Sequence, residues 1–131
     1  MAVTFTPTLT LASTTTGTDA LNFSVTKDIT LGDNDVRVTR TYSPDDVTPG
    51  GTQIFSTNLG KSYIYVKNTH GSLPIYLVAA ADTAESAAWM ELAAGEFAFF
   101  PWAGVVNLFA NTGDNGAGIA TDGLEVTIFE A

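Results

Sequence analysis

One histidine, three close carboxylate pairs and a run of aromatics carry whatever chemistry this chain can do. His70 is the single histidine, set in the turn sequence Thr-His-Gly-Ser. A Ser–His–Asp arrangement needs a positioned base with a nucleophile beside it, and nothing in the sequence places one there. His70 therefore reads as a structural or solvated residue. The pairs Asp33/Asp35, Asp45/Asp46 and Asp114/Asp122 each sit with Gly, Asn or Pro. Two carboxylates across a cleft could hydrolyse a glycoside, and clustered oxygens could hold calcium. No loop follows the EF-hand spacing. Turn chemistry is the preferred reading, because Asx side chains bond their own backbone; calcium is the alternative. Gly-Gly-Thr at 50–52 lacks the lysine spacing of a phosphate loop. With no cysteine in the chain, disulfides and thiolate metal sites are excluded. The expectation is a non-enzymatic protein with no catalytic, cofactor or metal-binding residue.

The aromatic run is the larger question. In GEFAFFPWAGVVNLFAN, residues 95–111, Phe97, Phe99, Phe100 and Trp102 fall within six positions and Phe109 follows. On a strand, Phe97 and Phe99 share one face while Ala98 and Phe100 share the other. Both faces then need cover, from a second layer of the same chain or from another chain. Aromatics can also stack on sugars, and Tyr42, Tyr63, Tyr65, Tyr76, Trp89 and Trp102 are candidates. At strand positions such residues are more often core or interface.

The elements that must hold these residues alternate with period two almost throughout. Val3, Phe5, Leu9 and Leu11 face one way, and the threonines at 4, 6, 8 and 10 the other. Pro7 lacks a donor, so residues 1–12 read as an edge strand or a detached arm. STTTGTD (13–19) is a polar loop. Leu21, Phe23, Val25 and Ile29 mark a second strand, GDND (32–35) a turn, and Val36, Val38 and Tyr42 a third strand. Loop residues follow at 43–51, then QIFST as a short strand. SYIYVKN (62–68) is apolar on both faces, as a central sandwich strand must be. PIYLVAA (74–80) is expected to return beside it as a hairpin. Residues 82–94 suit at most one helical turn followed by the strand WMEL. Phe97–Trp102, Val105–Ala110 and Leu124–Phe129 complete the set, with a glycine-rich loop at 111–118. These nine or ten short strands predict an all-β fold in one domain, 1–131. The architecture is an antiparallel two-sheet β-sandwich, with a jelly roll as one winding that fits.

Charge narrows the partners. The 131-residue chain carries a net charge of −9, which argues against nucleic acid. All five bases lie before residue 68, whereas residues 68–131 hold eight acids and no Lys or Arg. That half is either a solvated acidic surface or a face that docks on a basic one. The first twelve residues lack the basic start of a signal peptide. The longest apolar run, Ile75–Ala81, is far short of a membrane span. The reading is a soluble protein with no membrane partner.

Three stretches together resemble a known group. YIYVKNTHGSLPIYL (63–77), LAAGEFAFFPW (92–102) and the terminal LEVTIFEA (124–131) resemble small virion structural proteins of tailed bacteriophages, especially phages of aquatic bacteria. The resemblance covers roughly residues 63–131 and includes no catalytic residue. It implies a β-sandwich that serves as a capsid decoration (cement) protein, or as a tail or fibre component. The implied partners are the major capsid protein and further copies of the chain, as a homotrimer. The implied place is the outer capsid surface of the virion, after synthesis in the bacterial host cytoplasm. Assembly interfaces concentrate aromatics at their centres. On that reading Phe97, Phe99, Phe100, Pro101, Trp102, Trp89, Val3 and Phe5 are the candidate interface residues. One face of FAFFPW would fill the core and part of the other would pack on a neighbour, with Pro101 limiting stray edge pairing. The alternative is a tail, fibre or glycan-binding sandwich module.

Overall fold

In this computed structural model, residues 4–12, 22–31, 37–43, 51–79, 88–112 and 123–130 are described. The N-terminal part is a long hairpin. Strands β1 (Thr4–Phe5) and β2 (Thr8–Ala12) run antiparallel to β4 (Ile29–Thr30) and β3 (Asn22–Thr26). Thr4 lies opposite Thr30 and Thr8 opposite Thr26, so both pairings keep one register across a gap at residues 6–7 and 27–28. Pro7 causes the gap, since it cannot donate to a ladder. Two bonds tie it: the Thr6 hydroxyl donates to Asp28 Oδ1 at 2.7 Å, and the Lys27 amide to the Pro7 carbonyl at 3.4 Å. Each of the first two expected strands is thus broken once.

The body follows as β5 (Arg37–Tyr42), β6 (Thr52–Phe55), β7 (Ser62–Asn68), β8 (Ile75–Val78), β9 (Met90–Leu92), β10 (Phe97–Trp102), β11 (Leu108–Asn111) and β12 (Leu124–Glu130). They form two antiparallel sheets, in the orders β10-β7-β12-β5 and β6-β11-β8-β9. The pairs nest: β5 with β12, β6 with β11, β7 with β10, and β8 with β9. Successive pairs fall in alternate sheets. The two sheets pack face to face as an antiparallel β-sandwich.

This winding corrects one sequence expectation. SYIYVKN does not form a hairpin with PIYLVAA. β7 is flanked on both sides, by β10 and β12, so no ladder position is left for β8. The 69–74 connection instead carries the chain into the opposite sheet, where β8 pairs with β11 and β9. The strand expected from Val105 begins only at Leu108. WMEL forms its strand as β9, while the helical turn expected just before it falls in residues 80–87, outside the described residues, as do Val3 and all three Asp pairs.

The core lies between the sheets. Ile64 and Val66 of β7 and Leu124, Val126 and Ile128 of β12 meet Ile54, Phe55, Ile75, Leu77, Leu92, Leu108 and Ala110 of the other sheet. Alternation places them there: β7 reads buried and half-buried by turns along its whole length. Each such side chain contributes roughly 1.5–3 kcal/mol relative to exposure.

Candidate functional site

β10 presents its two faces to different surroundings. Ala98, Phe100 and Trp102 pack against the core, while Phe97, Phe99 and Pro101 point out of the sandwich. Phe97 keeps 65% of its surface exposed and Phe99 39%. The registers extend this outer face across the sheet. Tyr65 and Thr127 lie in line with Phe99, and Tyr63 and Phe129 in line with Pro101. Diagonal neighbours meet: Tyr63 stacks on Phe99 at 6.1 Å, and Tyr65 lies tilted against Phe97 at 6.3 Å between ring centroids. Phe99 meets Phe129 edge-on at 6.4 Å. The result is an aromatic ribbon on the solvent side of a four-stranded sheet. Thr127, the polar residue within it, is nearly buried and shares a hydroxyl bond with Thr39 at 3.0 Å.

The inner aromatics do something else. Phe100 and Trp102 close the edge of the sandwich between β10 and β9. Trp89 covers them from outside, edge-to-face on Phe100 at 5.2 Å and stacked on Trp102 at 5.8 Å. The Trp102 indole N–H donates to the Val106 carbonyl at 3.1 Å. Phe100 and Trp102 are thus packing residues of this chain's own edge, whereas Trp89 stays 42% exposed.

The N-terminal hairpin crosses the aromatic ribbon. Phe5 stacks on Phe129 with centroids 4.7 Å apart, and Ile29 and Leu31 are buried. Further along, Pro7, Leu9 and Val25 face Phe97 and Phe99 across an apolar groove of about 420 Å³. The hairpin therefore starts over β12 and leaves over β10, the sheet's edge. Beyond that point every residue of β2 is exposed. Leu9, Leu11 and Val25 share one face, because Leu9 pairs with Val25 and Leu11 follows two residues on. They are 45–50% exposed.

His70 and its neighbour Asn68 build a turn. His70 Nδ1 accepts from the amides of Ser72 at 3.2 Å and Leu73 at 2.9 Å, which fixes the proton on the other ring nitrogen. Asn68 is fully buried. Its amide group donates to the carbonyls of Leu73 at 2.8 Å and Leu92 at 2.9 Å, and its oxygen accepts from the His70 amide at 2.9 Å. These bonds make the corner by which the chain changes sheets. A further cleft of about 450 Å³ opens between β5 and β6, lined by Arg40, Tyr42, Gln53, Ser56 and Asn58 over Phe55 and Ile128. It offers a guanidinium and amides but no carboxylate or imidazole. Among the described residues no cluster of three His, Asp or Glu side chains could hold a metal ion, and no helix is long and apolar enough to cross a membrane.

Of the candidate interface residues, the structure brings Phe97, Phe99, Pro101 and Phe5 to one outer face and Trp89 to the adjoining edge. Tyr63, Tyr65 and Phe129 belong to the same ribbon but were not singled out as interface residues. Their alternation was visible, but not which face looks outward. Comparison of the chain with protein-family profiles, with curated proteins and with solved structures finds no match.

Proposed function

We propose that this protein is a structural component of a tailed-phage virion, a decoration (cement) protein on the outer capsid surface. It acts without catalysis. Each copy bridges neighbouring subunits of the shell and of its own kind, and the added interface resists the outward pressure of packed DNA. The observation that carries this reading is the aromatic ribbon with the overhanging arm. An acidic chain that leaves Phe97, Phe99, Leu9, Leu11 and Val25 exposed holds apolar surface that only a macromolecular partner would cover well. Covering it yields about 25 cal/mol per Å², and repetition over a shell multiplies the gain. The resemblance of residues 63–131 to phage virion proteins names the setting, and the acidic 68–131 half suits docking on a basic shell surface.

The test is a phage particle from which the protein has been removed. Loss of heat and pressure resistance, restored by adding the purified protein back, is the expected result. Unchanged resistance overturns the proposal. If adsorption to the host fails instead, or a glycan array is bound through Trp89, the tail, fibre or glycan-binding reading replaces it.

A further inference from the structure

β10 is an edge strand whose only ladder partner among the described residues is β7. The Asn68 amide donates to the Glu96 carbonyl at 2.9 Å, so the row joining residues 68 and 96 is a hydrogen-bonded one. Bonded rows alternate in an antiparallel ladder. Ala98, Phe100 and Trp102 therefore exchange bonds with Val66, Ile64 and Ser62, their register partners. Phe97, Phe99 and Pro101 turn their backbone groups away from β7. β10 ends its sheet, so these groups have no ladder on the other side. Two residues, Phe97 and Phe99, offer both a donor and an acceptor there. Pro101 offers only an acceptor and bounds the strip.

We propose that two copies of this chain join edge to edge through antiparallel β10 strands centred on Ala98, each covered by the other's N-terminal arm. In that register Phe97 of one copy exchanges two bonds with Phe99 of the second, and the reverse pair does the same. Ala98 faces Ala98 across the two-fold axis in a non-hydrogen-bonded row. The outward rings of the second copy then slide beneath the arm that already overhangs β10. Leu9, Leu11 and Val25 pack on them, reciprocally.

Charge and area both favour a second copy as the occupant. The chain carries −9 in total, yet Phe97–Trp102 and the described residues 4–12 and 22–26 contain no charged residue. Two copies can approach along this strip without bringing like charges of the strip together. Aromatic side chains span about 200 Å² and aliphatic ones somewhat less. At the exposures of Phe97, Phe99, Leu9, Leu11 and Val25, roughly 450 Å² of apolar surface per copy awaits cover. That is more than half of the ~800 Å² per partner in a standard stable interface. The two-fold pairing replaces the trimer implied by the resemblance. It does not depend on the virion role, so either proposal can fail alone.

The experiment uses the full-length protein. Sedimentation and native mass spectrometry at micromolar concentration are expected to give two copies. Non-hydrogen-bonded partners lie about 4.5 Å apart at Cα, within disulfide reach, and the chain has no cysteine of its own. Ala98→Cys should therefore form a disulfide-linked dimer on oxidation. Asn58→Cys, exposed beside β6, should not. Phe97→Lys, a substitution on an exposed side chain, should keep its β circular dichroism while dimer dissociation becomes at least about tenfold easier, through like-charge repulsion across the axis. A monomeric or trimeric wild type overturns the proposal, and so does a dimer in which Ala98→Cys fails to cross-link.

Discussion

Phe5 stacks on Phe129 with ring centroids 4.7 Å apart and planes inclined at 30°. The contact fastens the N-terminal arm to the outside of the sandwich, on the face that carries the aromatic ribbon.

Phe5→Ala should release the arm without unfolding the body. An aromatic pair contributes about 0.5–1.5 kcal/mol beyond the area it buries. The expected outcome is faster proteolytic cutting within residues 1–31, with the melting temperature lowered by only a few degrees. If cutting is no faster, the arm is held elsewhere.

Phe97 and Phe100 differ by three positions and should differ sharply in consequence. Phe97→Ser acts on an exposed ring and should change stability by no more than about 0.5–1 kcal/mol. Phe100→Ala removes a ring that packs on the core and on Trp89, and should cost about 3 kcal/mol. Chemical denaturation of the two variants side by side checks the inside-out assignment of β10.

Asn68 holds the sheet-changing corner with three side-chain bonds, all to backbone groups. Asn68→Ala should cost about 3 kcal/mol, because one buried carbonyl, one part-buried carbonyl and a part-buried amide lose their partner. Asn68→Asp should be at least as damaging, since a carboxylate accepts but cannot donate to Leu73 and Leu92. His70→Ala should be milder, about 1 kcal/mol, as it frees two amides near solvent. Urea midpoints for the three variants give the order directly.

Gly104 and Gly60 touch backbone to backbone. A Cβ on Gly104 would lie 2.0 Å from the Gly60 carbonyl oxygen, at a φ of +76°. Gly104→Ala should cost more than about 3 kcal/mol, from overlap and left-handed strain together. Gly60→Ala meets nothing within 4 Å and bears only its φ of +65°, so about 1 kcal/mol is expected. Equal losses in a thermal melt would contradict the close approach.

Period-two alternation made the strands of this protein legible in its sequence, together with the residues that share a face. Phe97 with Phe99, and Ala98 with Phe100, follow from side-chain geometry on a strand whatever surrounds it. The missing N–H of Pro7 interrupts the arm between β1 and β2, where alternation alone reads one continuous strand. The turn expected at Thr-His-Gly-Ser lies between β7 and β8, where the His70 ring caps two amides. What alternation cannot carry is the choice of neighbour. SYIYVKN and PIYLVAA have the pattern of a hairpin, but β7 is already paired on both sides, and burying Ile75 and Leu77 opposite Ile64 and Val66 required the chain to change sheets. Nor does a pattern say which of two apolar faces is inside. Phe100 and Trp102 look like Phe97 and Phe99 in sequence, and only the second sheet, by covering one face and leaving the other to the arm, tells them apart. Local geometry settled the strands; long-range packing settled which strand lies beside which, and so where the exposed aromatic surface is.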